Sequence, residues 1–164
     1  MRLEELNAMT AAEADAALRP CVDIDSWVDA LVAGRPYDAV ADVLAVADLQ
    51  ARSWSPAEVE KALADHPRIG ERHSGSGASA TMSQGEQSGV DPHDAEVQRR
   101  LAEGNEAYEE RFDRIYLVRA AGRSAEEILA LLEQRLTNDP DTELAVTAGQ
   151  LREIAVLRLE GLLS

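Results

Sequence analysis

Apolar residues recur three and four positions apart along most of the 164-residue chain, which is the spacing of amphipathic α-helices. Separate apolar stripes begin at Trp27, Val40 and Ile128, and we find no β-strand alternation elsewhere in the chain. The stretch 115–118 is too short to assign by period, and we expect it to be an extended connector. We therefore predict an all-α fold, with residues 1–164 forming a single-domain bundle of about seven or eight helices.

Capping residues divide this pattern into individual helices. In a Ser/Thr-x-x-Glu sequence the hydroxyl and the carboxylate each accept from the other residue's backbone N–H, which favours a helix start. Four such pairs occur: Thr10 with Glu13, Ser55 with Glu58, Ser83 with Glu86, and Ser124 with Glu127. Pro92 and Pro140 follow aspartates, which also indicates helix starts. Gly34, Gly70 and Asn138 are placed where helices should end.

Residues 73–83 interrupt the helical pattern with small, polar and glycine-rich sequence. Such a segment either stays open or closes over a ligand. Because it joins two candidate motifs, around His66 and around Glu86, we expect it to act as a lid.

The chain carries a formal net charge of −15. This charge argues against nucleic acid and anionic membranes as partners, because both bind through cations on the protein. An anionic small-molecule substrate would instead require a local group of arginines. By position, the candidates are Arg68, Arg72, Arg119, Arg123 and Arg158.

Composition also disfavours several cofactors and cellular locations. Lys61 is the only lysine, so Schiff-base chemistry with pyridoxal phosphate has a single candidate on a predicted helix surface. Cys21 is the only cysteine, which excludes an intrachain disulfide and fits a reducing compartment. The sequence contains no run of 18 apolar residues and no signal-peptide pattern, so we expect a soluble cytoplasmic protein.

The first candidate for catalysis is His66, which follows a predicted helix over residues 56–65 and precedes Pro67. Proline disfavours helical backbone at the residue before it and fixes its own φ, so the imidazole would stand at a stiff helix exit. A histidine held in this way can transfer protons at neutral pH. The alternative is a structural histidine whose ring hydrogen-bonds a carbonyl, and the residues alone leave both open.

Glu86 and Arg158 each admit two interpretations. Glu86 is either the capping partner of Ser83 or an acid–base residue near His66. The neighbouring Gly85 costs helix stability, and a cap does not need it. Arg158 is either a surface arginine on the last helix or a bidentate ligand for a carboxylate.

The sequence disfavours a metal site. His66, His73 and His93 lack the spacing of metal-binding helices, and there is no cysteine pair. A nucleophile elbow, a phosphate loop and a dinucleotide fingerprint are also absent. We therefore expect no bound metal.

Taken together, these motifs resemble the 2-oxo-4-hydroxy-4-carboxy-5-ureidoimidazoline (OHCU) decarboxylases of urate breakdown. The resembling segments keep their order over nearly the whole chain, and the ordered set is more specific than any single motif. They are 66–70, 83–89, 105–108 with Arg111 and Phe112, 115–120, 122–129, Arg135 and Leu136 with Asn138 and Asp139, and Ile154, Ala155, Leu157, Arg158 and Leu159.

The resemblance implies an all-helical homodimeric enzyme without a cofactor, which converts the ureidoimidazoline carboxylate to (S)-allantoin and carbon dioxide. It assigns proton transfer to His66, and to Glu86 the role of orienting and sharing that work. The substrate-binding residues that it implies are Pro67, Ser83, Gln84, Gly85, Gln87, Tyr116, Leu117, Val118, Arg119, Ala120 and Arg158.

Two other functions remain open from the residues. One is a non-catalytic, acidic helical adaptor in which His66 and Glu86 only cap and pack. The other is a ureide-binding protein that does not convert its ligand. An enzyme should lose its activity on substitution of His66 while its thermal stability barely changes, whereas an adaptor has no activity to lose.

Overall fold

The computed structural model describes residues 1–70, 78–91 and 94–164. Within these residues the chain forms nine α-helices and no β-strand, which confirms the all-α prediction and lies close to the predicted seven or eight. The helices are α1 (Leu3–Ala8), α2 (Ala11–Leu18), α3 (Asp25–Ala33), α4 (Val40–Ala51), α5 (Pro56–Leu63), α6 (Ala78–Glu86), α7 (Ala95–Phe112), α8 (Ala125–Arg135) and α9 (Pro140–Leu162).

The chain divides into two compact units. Unit 1 contains residues 1–62 and 152–164, and unit 2 contains residues 63–151. Helices α5 and α9 each contribute residues to both units. The single domain expected from chain length stays a prediction.

The core of unit 1 forms around the apolar stripes of α3 and α4. Trp27, Val28 and Leu31 of α3 are buried, as their helical spacing predicts. The indole Nε1 of Trp27 donates to the carbonyl of Ala47 at 3.1 Å, so α3 is joined to α4 by a directional bond as well as by packing.

Several predicted helix starts are confirmed. The Thr10 hydroxyl accepts from the Glu13 N–H, and the Glu13 carboxylate accepts from the Thr10 N–H. Ser55 and Glu58 make the same two bonds, and the Ser124 hydroxyl accepts from the Glu127 N–H. At Pro140 the preceding aspartate, Asp139, caps α9 by accepting from the Thr142 N–H at 2.9 Å. For α7 the cap is Asp94, and the predicted start at Pro92 lies outside the described residues.

The predicted helix start at Ser83 is wrong. Helix α6 begins at Ala78, so Ser83 lies inside the helix, where its side chain is buried and its carbonyl accepts from the Gln87 N–H. The predicted glycine-rich loop over 73–83 is therefore wrong from residue 78 onward, while residues 73–77 lie outside the described residues. A contact from α6 to the preceding segment helps to explain the helix, because the Ser79 hydroxyl donates to the Asp65 carboxylate at 2.8 Å.

Two predicted helix ends also differ. Helix α5 ends at Leu63 rather than at residue 65, and Gly70 lies in the turn beyond it with φ of +88°, a conformation that favours glycine. The end predicted at Gly34 is confirmed, since Gly34 is the residue that terminates α3. Asn138 lies in the turn that follows α8, where its N–H donates to the Arg135 carbonyl.

Unit 2 has its own hydrophobic core, to which helices and connectors both contribute. The stretch after α7 has no regular secondary structure over 115–120, as expected of an extended connector. The buried members of this core are Ile69, Val90, Leu101, Tyr108, Phe112, Tyr116, Val118, Ala120, Ile128, Leu129 and Leu132.

In the parts of the chain that the structure describes, no helix has the length and apolar character needed to cross a bilayer.

Candidate active site

His66 lies in the turn directly after α5, within unit 2. Its N–H donates to the carbonyl of Leu63 at 3.1 Å, and its side chain is half-buried. Two contacts hold the turn against α7. The Asn105 amide donates to the Ile69 carbonyl at 3.0 Å, and the Arg68 guanidinium pairs with Glu109. The imidazole therefore stands on a backbone that is fixed immediately after it, as the proline at position 67 predicts.

Two hydrogen bonds join this turn to α6 and the residues that follow it. At one end, the Ser79 hydroxyl donates to Asp65 at 2.8 Å. At the other end, the Gly70 N–H donates to the side-chain oxygen of Gln87 at 2.9 Å. The turn carrying His66 thus lies beside the helix that ends at Glu86, and the two candidate catalytic residues belong to adjoining segments.

The residues after α6 approach the second candidate binding segment, 116–120. A Cβ added at Gly89 would lie 2.7 Å from the carbonyl oxygen of Arg123, so only glycine allows this close approach. Val90 and Val118 also share the hydrophobic core of unit 2. The turn around His66, the end of α6 and the 116–120 segment therefore form one neighbourhood.

Side chains of α8 and α9 fix the main chain of the 116–120 segment. Arg135 donates through Nη1 to the Leu117 carbonyl at 2.6 Å. The Arg119 N–H donates to Oε1 of Gln150 at 2.9 Å, and the Arg119 carbonyl accepts from Nε of Arg123 at 2.9 Å. The segment has no helical or strand bonds of its own, so these side chains supply its hydrogen bonds.

A buried ion pair lies at the centre of this support. Glu143 is fully buried, and its carboxylate accepts from Nε of Arg135 at 2.7 Å and from the Tyr108 hydroxyl at 2.6 Å. Asn138 donates to the other carboxylate oxygen at 3.0 Å. The Arg135 guanidinium also lies 4.8 Å from the centre of the Tyr116 ring.

Sequence reasoning did not identify this ion pair as part of the site. Arg135 entered only through the family resemblance, and Glu143 was not singled out at all. A signal was present, because Arg135 follows Ile128, Leu131 and Leu132 on the apolar face predicted for α8. A charged residue on an apolar face indicates either snorkelling or a buried pair, and the sequence does not name the partner.

Burial changes the titration of the two tyrosines in this region. Burial, followed by the hydrogen bond to Glu143, raises the pKa of Tyr108 to about 12. Burial also raises the pKa of Tyr116, whose hydroxyl donates to the Ile128 carbonyl at 2.9 Å. Both phenols are therefore protonated hydrogen-bond donors at neutral pH, and Tyr116 has its main chain rather than its hydroxyl available to a ligand.

The five residues at the end of α6 differ in what they offer to a ligand. Ser83 is buried and Gln84 is exposed, while Glu86 is half-buried as the last residue of the helix. Gly85 is exposed, and an added Cβ would meet nothing within 4 Å. The amide oxygen of Gln87 is used by Gly70, as described above.

The candidate arginines are not equivalent. Arg68 pairs with Glu109, and Arg123 donates to a carbonyl. By contrast, Nε of Arg119 is buried and has no hydrogen-bond partner in the described part of the chain. A buried, unpaired N–H of a cation is costly, so this atom calls for an acceptor from outside the chain.

Of the remaining two candidate arginines, one belongs to unit 1 and the other lies outside the described residues. Arg158 belongs to unit 1, where it is buried and donates through Nη1 to the Pro20 carbonyl at 3.3 Å. The interpretation of Arg158 as a surface arginine is therefore wrong. Arg72 lies outside the described residues.

Among the described residues, no group of three or more His, Cys, Asp or Glu side chains is placed to hold a metal ion. His73 and His93, the other two histidines, lie outside them.

A cavity of about 230 Å³ adjoins the 116–120 segment on the side of α8 and α9. It is lined by Val118, Arg123, Leu131, Gln134, Arg135, Asn138, Val146 and Gln150. Arg135 and Gln150 therefore line the cavity and also hydrogen-bond the main chain of the 116–120 segment.

Comparison with known proteins adds an independent observation. The sequence model of a family described as OHCU decarboxylase matches residues 7–160, which is nearly the whole chain. The chain is also 31% identical over 136 residues to the 2-oxo-4-hydroxy-4-carboxy-5-ureidoimidazoline decarboxylase of Amia calva, covering 82% of this chain and 78% of that protein.

Two longer relatives match as well. The chain is 27% identical over 164 residues to a uric acid degradation bifunctional protein of Bacillus sp. (strain TB-90), covering 98% of this chain and 32% of that protein. It is 36% identical over 107 residues to the uric acid degradation bifunctional protein TTL of Arabidopsis thaliana, covering 63% of this chain and 33% of that protein. The chain thus spans about a third of the length of these two relatives.

Two solved structures have the same fold. The crystal structure of an OHCU decarboxylase in the presence of (S)-allantoin gives a TM-score of 0.73 at 23% identity, covering 91% of this chain and 97% of that one. The crystal structure of an (S)-allantoin synthase gives a TM-score of 0.72 at 17% identity, covering 99% of this chain and 54% of that one.

Proposed function

The chain belongs to the OHCU decarboxylase family, and we propose that it converts 2-oxo-4-hydroxy-4-carboxy-5-ureidoimidazoline to (S)-allantoin and carbon dioxide. The observation that carries the proposal is the pair of bonds, Asp65 to Ser79 and Gly70 to Gln87, that joins the His66 turn to the helix ending at Glu86. An imidazole and a carboxylate on two adjoining fixed segments can share one proton transfer.

The reaction needs no electron sink from the protein. When the bond to the carboxylate breaks, carbon dioxide leaves and the electron pair moves into the neighbouring ring C=N. One proton must then reach the carbon that becomes the stereocentre, and delivery to one face gives the (S) product. We assign this proton to His66, oriented by Glu86. An alternative order of steps, in which His66 first accepts the proton of the substrate hydroxyl, balances equally well.

We assign the substrate anion to Arg119. Its main chain is held at both the N–H and the carbonyl, and its buried Nε lacks an acceptor in the described residues. A carboxylate on this guanidinium would satisfy the buried N–H and neutralise the charge. The family resemblance also implies Arg158, which remains a second candidate for binding the substrate anion.

The remaining implied ligands are proposed to act mainly through shape and main chain. Pro67 fixes the turn, Gly85 leaves open space above α6, and the extended segment 116–120 presents its backbone to the substrate. Ser83, Gln84, Gln87, Tyr116, Leu117, Val118 and Ala120 complete this proposed set.

We further propose that the protein is a homodimer and acts in the cytoplasm. The dimer rests on the family resemblance, and the cytoplasmic location also on the cysteine content, because the one cysteine, Cys21, cannot form an intrachain disulfide. Light scattering at the mass of two chains would support the dimer, and the mass of one chain would contradict it.

The test generates the unstable substrate in situ from urate with an oxidase and a hydrolase, and follows optical activity by circular dichroism. Wild-type protein is expected to give (S)-allantoin, whereas the uncatalysed decay gives racemic product. His66→Asn is expected to abolish the signal, and Glu86→Gln to lower it at least tenfold, with both unfolding free energies within about 0.5 kcal/mol of wild type.

Glu86→Gln also separates the catalytic from the capping interpretation. Glu86 is the last residue of α6, where the helix dipole disfavours a negative charge, so removing that charge should not destabilise the helix. An adaptor predicts no turnover to lose in any variant. A ureide-binding protein predicts (S)-allantoin binding by calorimetry without turnover, and either result would contradict the proposed decarboxylase.

A further inference from the structure

We propose that Arg135 and Gln150 are positioning residues for the substrate, acting through the main chain of the 116–120 segment rather than by touching the ligand. The proposal rests on the proposed function, because it assumes that this segment binds the substrate. It adds two residues outside the implied binding set, and it explains why a buried ion pair is placed behind an irregular stretch of chain.

All three guanidinium nitrogens of Arg135 hydrogen-bond within the protein. Its Nε donates to Glu143 at 2.7 Å, its Nη1 to the Leu117 carbonyl at 2.6 Å, and its Nη2 to the Thr147 hydroxyl at 3.2 Å. The side chain is only 5% exposed, so it does not reach out toward a ligand. Its one bond to the irregular segment is the bond to Leu117.

A buried ion pair such as Arg135–Glu143 contributes little net stability compared with apolar residues. Taking two charges out of water costs about as much as their attraction returns, and apolar residues of similar volume often stabilise a fold as well. Stability alone therefore does not account for Arg135 and Glu143. What apolar residues cannot supply is a charged, directional donor held in place for the carbonyl of Leu117.

Gln150 holds the same segment two residues beyond Leu117, at Arg119. Its Oε1 accepts the Arg119 N–H at 2.9 Å, while the Arg119 carbonyl accepts from Arg123. Main-chain groups on both sides of Val118 are therefore held by side chains of α8, of α9 and of the turn that joins the 116–120 segment to α8. The Cα of Arg119 is consequently held in place, and this fixes the starting point of the side chain that we assign to the substrate anion.

Gln150 can be substituted with less risk to folding than Arg135. Both Arg135 and Gln150 line the cavity of about 230 Å³ beside the segment. Gln150 is half-exposed there, so a substitution of similar size neither opens an enclosed void nor strips a fully buried group. This makes Gln150 the sharper site for a test, while Arg135 variants carry the risk of not folding.

The experiment compares two Gln150 variants of nearly equal size in the full chain. Gln150→Glu keeps an oxygen acceptor for the Arg119 N–H, and Gln150→Met removes it. We expect Gln150→Met to raise KM and weaken (S)-allantoin binding about fivefold, with kcat within about twofold of wild type, since the lost bond aids binding rather than chemistry. Gln150→Glu adds a negative charge near the proposed anion site but keeps the acceptor, so it should raise KM less than Gln150→Met does.

Amide hydrogen exchange gives a readout that does not depend on turnover. In Gln150→Met the Arg119 amide should exchange at least tenfold faster than in Gln150→Glu, while amides in the middle of α7 keep their protection. Arg135→Lys, if it folds, should raise KM as well, because an ammonium cannot bridge Glu143 and the Leu117 carbonyl as the guanidinium fork does.

These measurements distinguish a failure of the positioning role from a failure of the proposed function. An active wild type with Gln150→Met indistinguishable from it, or with both Gln150 variants equally impaired, overturns the positioning role alone. A wild-type protein that neither turns over the substrate nor binds (S)-allantoin overturns the proposed function, and the positioning role with it. Selective loss in Gln150→Met supports both.

Discussion

At the scale of single residues, Gly85 is a position whose identity local structure does not explain. It is the penultimate residue of α6, where glycine costs helix stability relative to alanine. It has no positive φ, and an added Cβ would meet nothing within 4 Å. Neither backbone geometry nor packing requires a glycine here, and the missing side chain leaves open space above α6 for the proposed substrate.

We therefore predict that Gly85→Ala has opposite effects on folding and on activity. Helix propensity should raise the free energy of unfolding by up to about 1 kcal/mol, and the added methyl should raise KM several-fold. Thermal denaturation and steady-state kinetics measure the two effects. The matched control is Gly149→Ala in α9, another helical glycine with open space around it, which should stabilise the protein without changing KM. An unchanged KM in Gly85→Ala would remove Gly85 from the binding surface.

Glu86 shows how one short pattern supports two interpretations until its helix is known. The Ser83-x-x-Glu86 sequence fits a capping box, and residues 78–82 before it are small and polar enough to suggest a loop. In the structure those residues are helical, and Ser83 is buried. Glu86 is consequently a C-terminal residue of α6, which removes the capping explanation for its presence.

At the scale of elements, the Arg135–Glu143 pair connects α8 and α9, and the Tyr108 hydroxyl adds α7 through Glu143. We predict that Glu143→Gln costs about 3 kcal/mol of unfolding free energy, because it leaves the buried guanidinium without its counter-charge. Urea denaturation measures the loss. Glu133→Gln is the control, since exposed Glu133 pairs with Arg100 at 3.7 Å and should contribute less than about 0.5 kcal/mol. Equal effects of the two substitutions would show that the buried pair is not needed for folding.

The elements that could be predicted from sequence are those whose signals are local. Apolar periodicity and caps such as Thr10 and Ser124 depend on neighbours within one turn of helix, and these helices are found where they were expected. The extended connector after α7 was also expected, because its apolar run is too short to be assigned by its period.

The elements that could not be predicted depend on partners distant in sequence. Helix α6 is supported by the bond from Ser79 to Asp65, and the turn at Gly70 by its bond to Gln87. Neither bond has a signature within its own segment. The same holds for the site, because His66 and Glu86 were chosen from motifs, whereas the support from Gln150 and Glu143 arises only when α9 packs beside the 116–120 segment.

At the scale of the whole molecule, all three tyrosines are buried and their pKa values are raised by burial. A phenol whose pKa is higher in the folded than in the unfolded chain stays neutral in the fold and ionises on unfolding. Its contribution to stability is therefore complete below about pH 10 and is lost as the pH rises toward 12, the value for Tyr108. The native protein should lose stability steeply over this interval.

The same tyrosines test whether the chain unfolds as one domain. Tyr37 belongs to unit 1, whereas Tyr108 and Tyr116 belong to unit 2. Because α5 and α9 contribute residues to both units, we predict one cooperative alkaline transition, in which phenolate absorbance at 295 nm and loss of helical circular dichroism coincide. Tyr37→Phe should remove about a third of the absorbance change without shifting the midpoint of the remainder by more than a few tenths of a pH unit. A Tyr37 signal that appears at a lower pH than the other two would show that unit 1 unfolds independently, which would contradict the single domain expected from the length of the chain.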